Sequence, residues 1–235
     1  MSISKIRKGL KTIWWKPELV EGATFDDLDI PFCPTTAKAV PQNIITYEEA
    51  KRIYKKNIKN DPYFKCNDFV CFYIDDYKFD TFKGVWFSPI KALKILSHFK
   101  GIITPDFSTY LDFPYPLKIW NTYRMRAFGY WCGKQGLEVI NNIRGSINEY
   151  SYCFRGVQLK SIVCIGTVGS GLKLIENRDQ FSKWLLQMVN TLRPEIILVY
   201  GSSNYKCFDE VQKLGVTIVS YESKTSKDFK RRKQK

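Results

Sequence analysis

Gly101-Ile102-Ile103-Thr104-Pro105-Asp106-Phe107-Ser108 is a short apolar run that breaks on a proline and presents an aspartate. The same grammar recurs along the chain. Residues 70–74 end on Asp75-Asp76, 162–165 on Gly166-Thr167, and 196–200 on Gly201-Ser202-Ser203. Short β-branched runs closed by Pro, Gly or Asp read as buried strands. Working outward, strands are expected at 69–74, 101–104, 137–140, 161–165, 195–200 and 216–220.

Helical patterns fill the intervals. Ser88-Pro89 opens one, with Ile90, Leu93, Leu96 and Phe99 on one face and proline in the position helices favour for it. Pro116 opens a long one through Trp120, Tyr123, Phe128 and Trp131, stopped near Gly136. Asn177 is placed to cap a third over 178–192, and 207–214 form a fourth. Strands separated by helices make βαβ units and a parallel sheet. The expected architecture is therefore a three-layer α/β domain with a mainly parallel sheet of about six strands. A partial β/α barrel fits the same periodicity, because periodicity does not distinguish an open sheet from a curled one.

Three regions follow: a basic, irregular N-terminal extension over 1–65, the α/β domain over 66–223, and a basic tail over 224–235 expected to be disordered. Within the extension, Pro17, Pro31, Pro34 and Pro41 interrupt regular structure. Thr46 and Glu49 have the spacing of a capping box for a helix to about Asn57. Ile3, Ile6, Leu10 and Ile13 have helical spacing, and their apolar side is expected to dock on the chain's own core. Residues 144–160 read equally as a short helix or an aromatic loop.

The chain has 235 residues, is 44% apolar and carries a formal charge of +14. That composition suits a packed domain and excludes wholesale disorder. Neither a membrane-spanning run nor a signal-peptide pattern is legible, so a soluble cytoplasmic protein is expected. The seven cysteines lack metal-ligand spacing and read as reduced, mostly buried thiols. His98 is the sole histidine. Histidine-based triads and multi-histidine metal sites are excluded.

Most of the positive charge is peripheral. Residues 1–16 hold five Lys/Arg and no acid, and residues 224–235 hold seven against Asp228 alone. Such extensions attract polyanions, nucleic acid first among them. Lys230, Arg231, Arg232 and Lys233 are the expected contacts.

In parallel α/β sheets ligands bind beyond the carboxyl ends of the strands. That locates Asp75, Asp76 and Asp106 as candidate catalytic carboxylates, a cluster that would take Mg2+ if it converged. Gly166, Thr167, Gly169 and Ser170, with Gly201 and Ser202, are candidate phosphate contacts through backbone amides. The glycine run lacks the ending of a P-loop and the spacing of a dinucleotide fingerprint. Asn141, Asn142 and Arg144 follow the third strand as donors to an anionic group. Arg124 and Arg126, two apart in one helix, are not both expected at the sheet edge.

Phe72-Tyr73-Ile74-Asp75-Asp76-Tyr77, Ile103-Thr104-Pro105-Asp106-Phe107-Ser108, Ile119-Trp120-Asn121-Thr122-Tyr123-Arg124, Tyr152-Cys153-Phe154 with Gly156, and Val199-Tyr200-Gly201-Ser202 occur in this order. In these blocks the chain resembles DUF4417, a family of bacterial, phage and mobile-element proteins without an assigned activity. The resemblance covers roughly 70–222 and leaves the first 65 residues and the tail outside. It implies a mobile-element context and no catalytic residue. Three functions stay open: an accessory protein contacting nucleic acid, with a strand-edge pocket for a phosphate or nucleotide; a Mg2+-assisted nucleotide- or phosphoester-processing enzyme using the aspartates; and a protein-interaction module without catalysis.

Overall fold

The computed structural model describes residues 14–145, 151–172 and 174–233. Its centre is a sheet of seven parallel strands: β1 (Ile44–Thr46), β2 (Cys66–Cys71), β3 (Phe99–Ile103), β4 (Glu138–Asn142), β5 (Ile162–Gly166), β6 (Ile196–Tyr200) and β7 (Thr217–Tyr221). They lie side by side in chain order and every pairing is parallel. The helices are α1 (Tyr47–Asn57), α2 (Pro89–Leu96), α3 (Tyr115–Lys134), α4 (Ile175–Leu192), α5 (Lys206–Lys213) and α6 (Lys224–Lys233).

Sequential strand order has a direct consequence. Right-handed crossovers that always step the same way stack their helices on one face and curl the sheet around the other. Side-chain alternation follows it. Ile45, Val70, Ile102, Val139, Val163, Ile165, Ile197 and Val199 pack with the helices. Ile44, Phe69, Cys71, Ile103, Ile140, Cys164, Leu198 and Tyr200 form a separate inner cluster that contains no helix residue. Of the two architectures the sequence allows, the half-barrel is the one adopted. The strands are apolar on both faces because Ala37, Val40 and Tyr73 fill the inner side.

The N-terminal extension is part of this fold. β4 and β5 pair only at Asn141↔Val163 and Asn142↔Cys164. Ahead of that point residues 33–36 insert between them: the Thr36 amide donates to Val139 O at 2.9 Å, and the Val139 amide to Thr36 Oγ1 at 2.8 Å. Asn141, fully buried, donates to Cys33 O at 2.8 Å. β1 was also hidden in the extension. Thr46 closes it and at once caps α1, accepting from the Glu49 amide while Glu49 accepts from the Thr46 amide, the full capping box. The expected docking of the Ile3–Ile13 stripe falls outside the described residues, as does part of the ambiguous 144–160 stretch. Its remaining part is a turn whose Tyr152, Cys153 and Phe154 are buried.

Further expectations are adjusted. α4 begins at Ile175, and Asn177 sits inside it, its amide donating to Gly171 O at 3.0 Å instead of capping the helix. Residues 224–233, read as a disordered arm, form α6. All seven cysteines are free, six of them buried. His98 packs at the opposite end of the sheet, stacked on Phe64 with its Nδ1 2.8 Å from Phe64 O. Among the described residues no helix is long and apolar enough to cross a membrane.

Arg124 and Arg126 are both buried and neither serves the strand edge. Arg124 makes a two-pronged bond to Asp80 at 2.7 and 2.9 Å and lies over the Phe107 ring. Arg126 has no carboxylate partner in the bonds it makes. Its guanidinium donates to three carbonyls, Asn142, Cys153 and Arg155, each at 2.9 Å. Burial lowers its pKa to about 10, which leaves it charged at neutral pH.

Candidate functional site

The carboxyl ends of the strands open into one crevice with two chambers. An inner chamber of about 280 Å³ lies among the loops after β3, β4 and β5 and the start of α4. An outer chamber of about 470 Å³ runs from the turn at Asp75-Asp76 to α6. Tyr73, Asp106, Tyr110, Arg144, Val168 and Gly169 line both, so the two are continuous.

Asp106 sits at their junction. Only 8% of it is exposed. The break at Pro105 ends β3 and turns this carboxylate toward the end of β4. One oxygen accepts from Asn142 Nδ2 at 2.8 Å and the other is ion-paired with Arg144. Asn142 is held in turn by Tyr73, whose hydroxyl donates to Asn142 Oδ1 at 2.9 Å and approaches Cys164 Sγ at 3.2 Å. Tyr73 fits because residue 166 is glycine: a Cβ there would stand 2.7 Å from its ring. Asn141 and Asn142, expected as donors to a ligand, are thus internal struts. Asn142 still lines the inner chamber, and Arg144 lines both chambers. Burial works against its charge, but Asp106 and Asp76 outweigh that and strengthen it.

The three aspartates share the crevice but do not converge. Asp76 accepts from Ser108 Oγ at 2.9 Å and from the Ser108 amide at 3.3 Å. Asp75 is 63% exposed and pairs with Lys78 at 3.1 Å. Lys78 continues to Glu48 at 3.4 Å, and Glu48 to Lys224 at 3.1 Å. Among the described residues no three His, Cys, Asp or Glu side chains are placed to hold a metal ion. With Asp106 neutralised by Arg144 and Asp75 by Lys78, these carboxylates do not fit Mg2+.

Burial raises the pKa of Asp76, and the nearby Asp106 adds to that, while Ser108 and Arg144 oppose it. A carboxyl whose native pKa is raised costs stability once it ionises. The cost is absent below its unfolded pKa, grows as pH rises through the window up to the native pKa, and is constant beyond it. We expect an NMR titration of the Asp76 carboxyl carbon to show a midpoint above the usual aspartate range, and Arg144→Gln to raise it further. A midpoint unmoved by Arg144→Gln would contradict the placement of these groups.

Of the expected phosphate contacts, Gly166, Gly169 and Ser170 line the inner chamber. Thr167, Gly201 and Ser202 support them from behind, with Thr167 Oγ1 donating to Ser202 O at 2.9 Å. Of the four basic tail residues, Arg232 lines the outer chamber and Lys230 is paired with Glu222 at 2.9 Å. Lys233 lies over the Phe229 ring, and Arg231 is on the exposed side of α6. Sequence reasoning missed the aromatic lining: Tyr73, Tyr110, Phe181 and Trp184 inside, Tyr200 and Phe229 outside. Tyr73 and Tyr200 were within quoted blocks, but their convergence, with rings stacked 5.1 Å apart, depends on the curl of the sheet.

Residues 25–222 match the family described as Domain of unknown function (DUF4417). The chain belongs to DUF4417. The match takes in most of the extension, in keeping with its place between β4 and β5, and stops before α6. The chain is 30% identical over 131 residues to the Gene 1 protein of Mycobacterium phage L5, covering 55% of this chain and 56% of that one. It is 30% identical over 135 residues to the Gene 1 protein of Mycobacterium phage D29, covering 57% and 48%. The matched stretch thus spans about half of each relative. No solved structure matches this DUF4417 chain.

Proposed function

We propose that this DUF4417 protein is a phage accessory protein that binds nucleic acid along α6 and receives a nucleotide in the crevice at the carboxyl edge of its half-barrel, acting in the cytoplasm of the bacterial host. The observation that carries the reading is the junction of α6 with the crevice. Six of the ten residues of α6 are Lys or Arg and one is acidic. Lys224 and Lys230 are engaged by Glu48 and Glu222. Arg231, Arg232 and Lys233 make no ion pair with a carboxylate among the described residues, Lys227 is attracted to Glu222 without pairing with it, and Arg232 lines the outer chamber.

A row of cations leading to an aromatic-lined cleft is the arrangement that binds a single strand: charges follow the backbone and rings receive bases. The kinship with phage proteins supports the phage setting and does not itself choose the partner. The test is titration of a labelled single-stranded oligonucleotide against the full chain at a series of salt concentrations. Binding that weakens steeply with salt is expected. A salt-independent response, or no binding at low salt, would overturn the proposal.

A further inference from the structure

Resting on that reading, we infer that the inner chamber is a pocket for one unpaired nucleobase and that the phosphates stay outside it. Charge decides between the two parts of a nucleotide. Among the described residues the inner chamber is lined by one acid, Asp106, and one base, Arg144, and these are paired with each other. A phosphate entering here would meet an arginine already neutralised and a buried carboxylate beside it, an unfavourable exchange for a desolvated anion. A planar, uncharged, hydrogen-bonding ring meets no such opposition.

The lining suits that ring. Tyr73, Tyr110, Phe181 and Trp184 supply aromatic surface, and base–aromatic stacking tolerates any base. Asn177 and Gln180, one turn apart on α4, bring the side-chain amides that pair with base edges. The Thr109 hydroxyl on the same lining is buried and has no hydrogen-bond partner among the described residues. At about 280 Å³ the chamber has room for a nucleobase. Tyr110 at the mouth is 55% exposed and carries the Arg144 guanidinium over its ring at 5.5 Å. The outer chamber leads from this mouth to α6, the route a strand would follow.

The test compares a single-stranded oligonucleotide with an abasic strand of the same length and phosphate count, using the full chain and its Tyr110→Ala and Phe181→Leu variants. The abasic strand is expected to bind about five- to a hundredfold more weakly, the range of one stacked base. Both substitutions are expected to weaken the base-bearing strand and leave the abasic one unchanged. Tyr110 is exposed, so loss through misfolding is not expected there, and a urea midpoint equal to wild type verifies it. Equal affinity for the two strands would overturn the base pocket while leaving nucleic-acid binding intact. A base-dependent affinity insensitive to both substitutions would place the base elsewhere and also overturn it. Failure of both strands to bind would remove the parent reading and this inference together.

Discussion

Arg126→Met is expected to lower the unfolding free energy by about 3–5 kcal/mol. The side chain is wholly buried and satisfies carbonyls from three places: Asn142 at the end of β4, and Cys153 and Arg155 in the turn after it. Removing the guanidinium leaves three acceptors without donors, each costing about 1–3 kcal/mol. Release from burying a charge offsets part of that sum, since burial already lowers the Arg126 pKa to about 10. Methionine keeps most of the length, so little of the loss is cavity. Arg126→Lys is expected to recover only part, because an ammonium lacks the planar fork that meets separate carbonyls. Urea denaturation followed by tryptophan fluorescence measures this. A loss below about 1 kcal/mol for Arg126→Met would show that the carbonyls find other partners.

The second large effect is on binding. Replacing Lys230, Arg231, Arg232 and Lys233 together by alanine is expected to weaken single-stranded oligonucleotide binding by about 10²–10³-fold near 0.1 M salt. Each phosphate contact on a single strand contributes about 0.7 to the slope of log K against log salt, so four contacts lower the slope by about 3. Stability should change little. Alanine is a strong helix former, α6 contains no buried side chain, and the Lys230–Glu222 pair is exposed. An unchanged slope with unchanged affinity would remove α6 from the interface.

β3 through β6 are legible because apolar runs closed by Pro, Asn or Gly bound them, and β7 is opened by Gly215. β2 is legible but starts and ends three residues earlier than the 69–74 expected, and the α1 capping box is written in Thr46 and Glu49. β1 is only Ile-Ile-Thr. Three residues between Pro41 and a helix cap carry too little period to register, although their β-branching marks a strand. The choice between open sheet and half-barrel depends on strand order, which no local pattern records. The insertion of residues 33–36 between β4 and β5 is equally non-local, spanning more than 100 residues of chain.

The same division holds for the site. Asp76, Asp106, Arg144 and the glycine loop, singled out by strand-end logic, line the crevice at one edge. It overstates their chemistry, because partners decide that: Ser108 holds Asp76, Lys78 holds Asp75, and Asn142 with Arg144 hold Asp106. The aromatic walls arise from curl and from α4, and α6 joins the crevice although its composition alone reads as a solvated arm.

A nucleotide is expected to occupy the crevice at the carboxyl edge. Photo-crosslinking tests it most directly: a single-stranded oligonucleotide carrying 4-thiothymidine is irradiated with the full chain, and the adducts are mapped by peptide mass spectrometry. Adducts are expected on the loop holding Tyr110, on the first turns of α4 around Phe181, or on α6 near Phe229. Adducts confined to the helical outer face or to the end of the sheet near His98 would contradict it.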